Sequence, residues 1–403
     1  MKKILQLIFG MLFGAAAGYG GVMLLVWLVD GGQPSASAGS EGIYWGRLSL
    51  AIAAAMVSGV LAVVIHLILH ETGHLIAGLL TGFRFLSFRV FKYTLVKTDE
   101  GLRWKRYHIA GTGGQCLLEL PADQGVETAP WFWYNAGGVL MNLVLTVLSV
   151  LLLKWLNPGM VGFAFLAMMA LVGLFMALMN GVPMLVGGVG NDGHNILLLW
   201  RHPSSRRFFV HSLQTIGQLS RGVRISDVPR EWIDDCPVDE QSDYLQLSNR
   251  GSYMMLLEDL GEYERAREVT EELLSLGKKL PQLLQLEVGG DAVMLELMTT
   301  NRREVAEGLW TKQLERYVKQ NSQYSPIKCA VLYAYELLYR GDAEAADAYK
   351  QQLHQRRQDY AIPGEAITAI SLIEAIDAKT RQSARCLRPA ESSRPRTITD
   401  DFC

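Results

Sequence analysis

Residues 48–82 read LSLAIAAAMVSGVLAVVIHLILHETGHLIAGLLTG, and the ionisable side chains within them are His66, His70, Glu71 and His74. A helix needs about 20 mostly apolar residues to cross the hydrocarbon core of a bilayer, so this run predicts a membrane-spanning helix. Ionisable side chains are costly inside such a helix and indicate a functional site by default. The stretch therefore predicts both the class of the protein and the place of its chemistry.

Three more apolar runs of sufficient length accompany it, at 4–29, 131–156 and 159–183. Any single run has an alternative reading as the core helix of a soluble protein. Four such runs in the first half of the chain favour a polytopic membrane protein. The run at 4–29 also resembles a signal peptide, but it is longer than the roughly 7–15 apolar residues of a signal h-region, and we expect an uncleaved helix.

The basic residues near these runs predict the orientation in the membrane. The loop 30–46 has no Lys or Arg, whereas the segment 84–130 carries seven. Both termini and the segment 84–130 are therefore expected in the cytoplasm, in an integral protein of a bacterial plasma membrane. His74 precedes Arg84 by ten residues, which is roughly 15 Å along a helix. The histidines thus lie within the bilayer, toward its cytoplasmic side.

Composition excludes two other classes of protein. The net charge of −2 argues against a nucleic-acid binder, which usually has a basic face. The five cysteines are odd in number and have no zinc-binding spacing, which favours reduced thiols over a disulfide framework.

The sequence HETGH at 70–74 has the spacing of a zinc-binding helix. Positions i and i+4 share a helix face, so His70 and His74 can bind one zinc ion while Glu71 acts as a general base on a zinc-activated water. The alternative is a pair of histidines satisfied by hydrogen bonds between helices. That alternative does not explain a glutamate at the same depth.

A catalytic zinc site needs a third protein ligand and one open position. The fourth apolar run ends in NGVP at 180–183, and a glycine-rich segment follows at 187–193. Broken backbone at membrane depth is tolerated only where protein or water covers it. Asp192 is the single carboxylate between Glu127 and Asp227, which makes it the candidate ligand. The alternative is a turn aspartate before a glycine.

Taken together, these motifs resemble the site-2 protease family of intramembrane zinc metalloproteases over about residues 45–200. HETGH is similar to the zinc helix of the family, and GVLMN at 138–142 is similar to its Gly-Pro-x-x-Asn motif, with Val139 in place of proline. The run 180–183 followed by Asp192 resembles its third motif, with a longer spacer and with Asn191 where leucine is common.

The resemblance implies a metalloendopeptidase that cleaves membrane-anchored proteins or peptides within the lipid bilayer. It implies Zn²⁺ held by His70, His74 and Asp192, with Glu71 as the base. It also implies that Asn142 donates a hydrogen bond to the oxyanion or to the substrate backbone. Two further histidines have no assigned role, since both His66, one turn before His70, and His194 have equally good structural readings.

The segment 84–120 predicts a small membrane-associated β-element. Residues 83–97 and 102–109 are rich in β-branched and aromatic side chains, and the turn-forming residues 98–101 separate them as in a hairpin. In the family that the chain resembles, this element is thought to receive the extended substrate, as β-augmentation would allow. The alternative is an amphipathic hairpin resting on anionic lipid.

The second half predicts a linker at 201–240, a cytoplasmic helical domain at 241–382 and a disordered tail at 383–403. Three similar stretches begin at residues 260, 300 and 340, and each has Gly or Asn five residues before an Ala. They resemble tetratricopeptide hairpins, with a generic helical array as the alternative. Such arrays usually bind peptides or proteins, so we expect a protein partner there.

The predicted fold is an all-α polytopic membrane protein of about four transmembrane helices, with a small β-element in 1–200 and a tetratricopeptide-like helical domain.

Two other functions compete with the protease. One is a metal-binding membrane scaffold whose helical-repeat domain recruits protein partners. The other is a metal transport path, which would show inverted repeats and polar residues spread over several spans.

Overall fold

The structure is a computed structural model, and it describes residues 41–98, 100–106 and 113–386. The predicted span 4–29 lies outside the described residues. The chain divides into two compact units, with the boundary between Gly217 and Gln218.

Three helices form the frame of the first unit: α1 (Glu41–Leu80), α2 (Trp131–Leu156) and α3 (Met160–Gly181). Each is long and apolar enough to cross a membrane, and their apolar stretches agree with the predicted runs 48–82, 131–156 and 159–183 to within two residues. Their surfaces expose large apolar side chains such as Met56 and Val60. An exposed apolar surface of this kind is expected of helices that face lipid.

Helices α1 and α2 approach each other closely at two glycines. A Cβ atom on Gly73 would lie 2.3 Å from the carbonyl oxygen of Gly137, and one on Gly137 would lie 2.4 Å from that of Gly73. Only glycine permits this backbone contact, which is typical of packing between membrane helices. The contact falls between His70 and His74 in the sequence and therefore fixes the position of the zinc motif against α2.

A four-stranded antiparallel sheet follows α1. Its strands are β1 (Arg84–Val90), β2 (Tyr93–Thr98), β3 (Gly101–Arg106) and β4 (Gly114–Glu119), in the order β3-β2-β1-β4. Strands β2 and β3 pair on either side of the predicted turn at 98–101, and a second tight turn at Phe91 and Lys92 divides residues 83–97 between β1 and β2. Phe91 adopts a φ of 54°. Neither residue is typical of turns, so no local residue pattern indicates this break.

A broken segment connects α3 to the helix α4 (Asp192–Arg201), as the glycines and proline predicted. Strands β5 (Leu185–Val186) and β6 (Val189–Gly190) form a small hairpin within it. Gly187 and Gly188, at its turn, have φ values of 62° and 90°. Two consecutive residues with positive φ form the kind of turn that matches the twist of paired strands. The glycine-rich spacer is therefore an ordered hairpin.

The predicted linker 201–240 is largely folded. Helix α5 (Ser205–Ser220) buries Phe208 and Phe209, and Ile225 and Trp232 are buried in the core of the second unit. The polar and proline-containing composition suggested a linker, but these spaced apolar side chains anchor the segment by their burial.

The described residues of the second unit form helices joined by turns and loops. Its helices are α6 (Tyr244–Asp259), α7 (Tyr263–Ser275), α8 (Gln282–Met298), α9 (Arg303–Leu309), α10 (Lys312–Asn321), α11 (Pro326–Ala334), α12 (Ala343–Arg356) and α13 (Pro363–Cys386). The tail predicted at 383–403 therefore begins with helix, and residues 387–403 lie outside the described residues.

The three similar stretches of the second unit occupy equivalent places. Each has a residue with positive φ between two helices, followed five residues later by an alanine that is at most 1% exposed. These pairs are Gly261 and Ala266, Asn301 and Ala306, and Gly341 and Ala346. Left-handed residues end helices, and small buried residues allow helices to pack closely. The tetratricopeptide-like assignment itself stays a prediction.

Candidate metal centre

Three predicted ligands meet between α1 and α4. The Nε2 atoms of His70 and His74 are 3.1 Å apart. Asp192 Oδ2 lies 3.2 Å from His70 Nε2 and 3.4 Å from His74 Nε2. Among the described residues, this is the one group of three His, Cys, Asp or Glu side chains whose ligand atoms are close enough for a metal ion. The structure thus brings together residues more than a hundred positions apart.

The proton on His74 can be placed from its surroundings. Its Nδ1 atom lies 2.7 Å from the carbonyl oxygen of Tyr134. A carbonyl only accepts hydrogen bonds, so Nδ1 carries the proton and a neutral His74 presents the lone pair of Nε2. That lone pair faces Asp192 Oδ2, a buried atom with no hydrogen-bond partner. Electron pairs therefore converge at a point where a cation would relieve their repulsion.

The separations within the group fit zinc. Ligand atoms about 2.0–2.1 Å from a tetrahedral zinc ion are roughly 3.3–3.4 Å apart. The three observed separations, 3.1, 3.2 and 3.4 Å, are close to that value. Two imidazoles and one carboxylate also match the ligand types of catalytic zinc sites, which keep a fourth position open. The residues present therefore fit a zinc ion.

Gly138 on α2 provides the space beside the two histidines. A Cβ atom at this position would lie 2.4 Å from His74 Nε2 and 2.5 Å from His70 Cε1. Contacts that short cannot be accommodated without moving the rings, since a packed interior has little free space. The glycine of the GVLMN motif is thus required by the geometry of the ligands.

We expect Gly138→Ala to lower zinc affinity sharply, because the added methyl group displaces both imidazoles. Ligand displacement should cost at least the roughly 10- to 100-fold that is typical of changes around a metal site. Zinc affinity is measured by competition with a fluorescent chelator. The matched control is Gly59→Ala on α1, whose Cβ would meet only Met168 Sδ, at 3.9 Å. Equal zinc affinity in both variants would contradict this placement of the ligands.

Glu71 lies beside the ligands and is held by the β-sheet. Its carboxylate accepts a hydrogen bond from the backbone N–H of Cys116 on β4. A Cβ atom on Gly114 of the same strand would lie 2.6 Å from Glu71 Oε1. The carbonyl oxygen of Cys116 accepts from the hydroxyl of Tyr134, at 3.0 Å. The sheet thus forms one wall of the site, a role that the sequence signalled only by the glycines at 113 and 114.

Asn191 positions Asp192. Its Oδ1 atom caps the N-terminus of α4 and accepts from the backbone N–H of Met184, at 3.0 Å. Its Nδ2 atom donates to the carbonyl oxygens of Met179 and Val182, both at 2.7 Å. One side chain therefore ties the end of α3 to the start of α4. Asn191, which stands where the motif that the chain resembles commonly has leucine, therefore has a structural function here.

Asn142 lies behind His70, on the side of the ring away from Asp192. It is fully buried, and its amide lies 3.0 Å from the Nδ1 atom of His70 and 3.0 Å from that of His66. The structure thereby brings His66 to the site, whereas His194 is not a member of the ligand group. The role of Asn142 as an oxyanion donor stays a prediction.

The chain matches no protein-family model, no curated protein and no solved structure. A functional assignment therefore depends on the residues and on the geometry of the site.

Proposed function

We propose that this protein is an intramembrane zinc metalloprotease. It hydrolyses peptide bonds in or near the transmembrane segments of membrane-anchored substrates. The observation that carries the proposal is the convergence of the two Nε2 atoms and the carboxylate oxygen within 3.1–3.4 Å, with both histidines on a helix long and apolar enough to cross a membrane. The adjacent Glu71 supplies a general base, which a site that only binds metal would not need.

The proposed reaction divides the work among the residues described above. A zinc ion held by His70, His74 and Asp192 would activate a water and polarise the scissile carbonyl. Glu71 takes the proton of the attacking water and passes it to the leaving amine. The N–H of Cys116 orients the carboxylate for both transfers. The peptide bonds of a helix are engaged in its own hydrogen bonds, so a substrate helix must unwind locally before attack.

An apolar groove beside the ligands supports a transmembrane substrate. It has a volume of about 420 Å³ and includes Gly193, the residue after Asp192. Its lining is predominantly apolar: Trp131, Phe132, Gly181, Pro183, Gly193, Ile196, Leu197 and Trp200. Pockets of this size and character accept apolar side chains. An extended substrate could additionally pair with a strand of the sheet, which lies against α1 next to Glu71.

No titratable group of the second unit takes part in the proposed reaction. We propose that it binds a protein or peptide partner, as helical arrays with a tetratricopeptide-like pattern do. We also propose that both termini and this unit are cytoplasmic, from the basic residues around the apolar runs.

We expect the purified full-length protein to contain close to one zinc ion per chain and to cleave a single-span reporter in detergent or liposomes. The chelator 1,10-phenanthroline should abolish cleavage, and stoichiometric zinc should restore it, because a metal site depends on free metal by mass action. The control is 1,7-phenanthroline, an isomer that cannot chelate.

Two other outcomes would separate the alternatives. Zinc without cleavage of a panel of reporters would favour the metal-binding scaffold. A protein without zinc, and with no affinity for it, would contradict the proposed function.

A further inference from the structure

We infer that His66 and Asn142 are positioning residues that set which nitrogen of His70 carries a proton, and so keep Nε2 of His70 ready to bind metal. The inference rests on the proposed metal site. It differs from the oxyanion role implied for Asn142 by the family resemblance. Three hydrogen bonds carry it, and they run in series from the backbone of α3 to the ligand on α1.

The series begins at the backbone carbonyl of Met169, which can only accept a hydrogen bond. The carbonyl oxygen of Met169 lies 2.9 Å from Nε2 of His66. Because a carbonyl only accepts, His66 Nε2 must carry a proton and donate it. His66 is fully buried, and an unpaired charge in such a place is expensive. The ring is therefore neutral, and its Nδ1 atom is an acceptor.

The side-chain amide of Asn142 lies between the two histidines, so the acceptor role of His66 Nδ1 decides how the amide is oriented. One of its two polar atoms lies 3.0 Å from His66 Nδ1, and the other lies 3.0 Å from His70 Nδ1. Because His66 Nδ1 is an acceptor, the NH₂ group of Asn142 must face it. The amide oxygen then faces His70. His70 Nδ1 must then carry a proton, and a neutral His70 has its lone pair on Nε2. This is the atom that faces His74 and Asp192.

The opposite orientation of the amide has two costs. The structure has the amide oxygen 3.0 Å from His66 Nδ1, and in that orientation both nitrogens of the His66 ring must donate. His66 would then be a cation buried among an amide, a carbonyl and apolar groups. His70 would accept at Nδ1 and carry its proton on Nε2, where it would block a metal. A half-turn of the amide exchanges two groups of nearly equal size and removes both costs.

The two histidine ligands are thus oriented by different means. His74 donates directly to the carbonyl of Tyr134 on α2, whereas His70 reaches the carbonyl of Met169 on α3 through two other side chains. Metal-bound histidines usually donate their second N–H to such a partner, which fixes the tautomer and the ring orientation. Both ends of the Asn142 amide are used in this way, so neither end is left to face a substrate.

A direct test reads the proton positions without any metal. We would label the histidine nitrogens with ¹⁵N in the full-length, metal-free protein and record correlations between ring nitrogens and ring protons. Wild-type His70 and His74 should both show the pattern of a proton on Nδ1. In Asn142→Leu, the His70 pattern should change, while the His74 pattern should stay because Tyr134 still fixes it. His74 is therefore an internal control for folding.

A second test reads zinc affinity by competition with a chelator. His66→Leu and Asn142→Leu should each weaken zinc binding by about 10- to 100-fold. The double variant should be no weaker than Asn142→Leu, because His66 acts only through Asn142. His66→Gln should bind zinc nearly as well as wild type, since its amide can donate to Met169 and accept from Asn142. Ser149→Ala, a buried polar change on α2, is the control.

The inference is overturned if His70 of the metal-free wild type carries its proton on Nε2, or if His66→Leu binds zinc as tightly as wild type. It is also overturned if His66→Gln is as weak as His66→Leu, or if the effects of the two leucine variants add. Zinc binding that follows the expected pattern in a protein that cleaves nothing would keep this inference and would count against the protease.

Discussion

Replacing Glu71 with glutamine is expected to abolish cleavage while zinc remains bound. Glutamine has the size of glutamate and can still accept the hydrogen bond from Cys116, but it cannot take a proton from water. A positioned acid–base group typically contributes about 10²- to 10⁴-fold in rate, so cleavage should fall by at least this factor. The measurement pairs zinc content with the initial rate of reporter cleavage in the same preparation.

Glu127→Gln is the matched control for this variant. Glu127 belongs to the same unit, its side chain is 81% exposed, and its contact is a loose ion pair with Arg206. We expect wild-type zinc content and wild-type cleavage from the control. Retained cleavage in Glu71→Gln would remove the assignment of the base. Loss of zinc in Glu71→Gln would instead place Glu71 among the ligands.

Replacing Asp192 with alanine is expected to remove zinc binding and cleavage together. Changes around a metal site already cost about 10- to 100-fold in metal affinity, and the loss of a ligand must cost more. The two remaining imidazoles would have no anionic partner. Zinc affinity, measured by chelator competition, should therefore fall by more than about 100-fold, and cleavage should be undetectable at micromolar zinc.

This variant also decides between the two readings of Asp192. A turn aspartate would affect the start of α4 and leave the metal in place, so zinc affinity close to wild type would contradict the ligand assignment. Asp123→Asn, an exposed change in the same unit, is the control and should leave both readouts unchanged. The N-terminus of α4 should persist in Asp192→Ala, because Asn191 and not Asp192 caps the helix.

The parts of this fold that the sequence predicted have strong local signals. The apolar runs at 131–156 and 159–183 correspond to α2 and α3, because twenty apolar residues in succession have few other stable structures. The convergence of Asp192 with His70 and His74 was expected for a different reason. Ionisable residues are rare at membrane depth, so the few that are present have few possible partners.

The parts that the sequence did not predict depend on contacts between distant residues. His66 and Asn142 are 76 positions apart, and no periodicity links a histidine on one helix to an amide on another. The turn at Phe91 has no glycine, proline or asparagine, so no residue type in 83–97 indicated a turn within it. Ile225 and Trp232 lie in a polar stretch, and only the packed core of the second unit shows that they are buried.

The division of the ligands between α1 and α4 has a consequence for how the protein is held together. His74 and Asp192 are separated by more than a hundred residues, and Gly73 locks α1 against α2 independently of any ion. A bound ion would therefore act as a cross-link that closes a long loop, much as a disulfide does. Removing it would leave α1 packed on α2 and α4 tied to α3 through Asn191, and would remove the link that the ligands make between α1 and α4. The metal site would then stabilise the arrangement of the helices as well as take part in the proposed reaction.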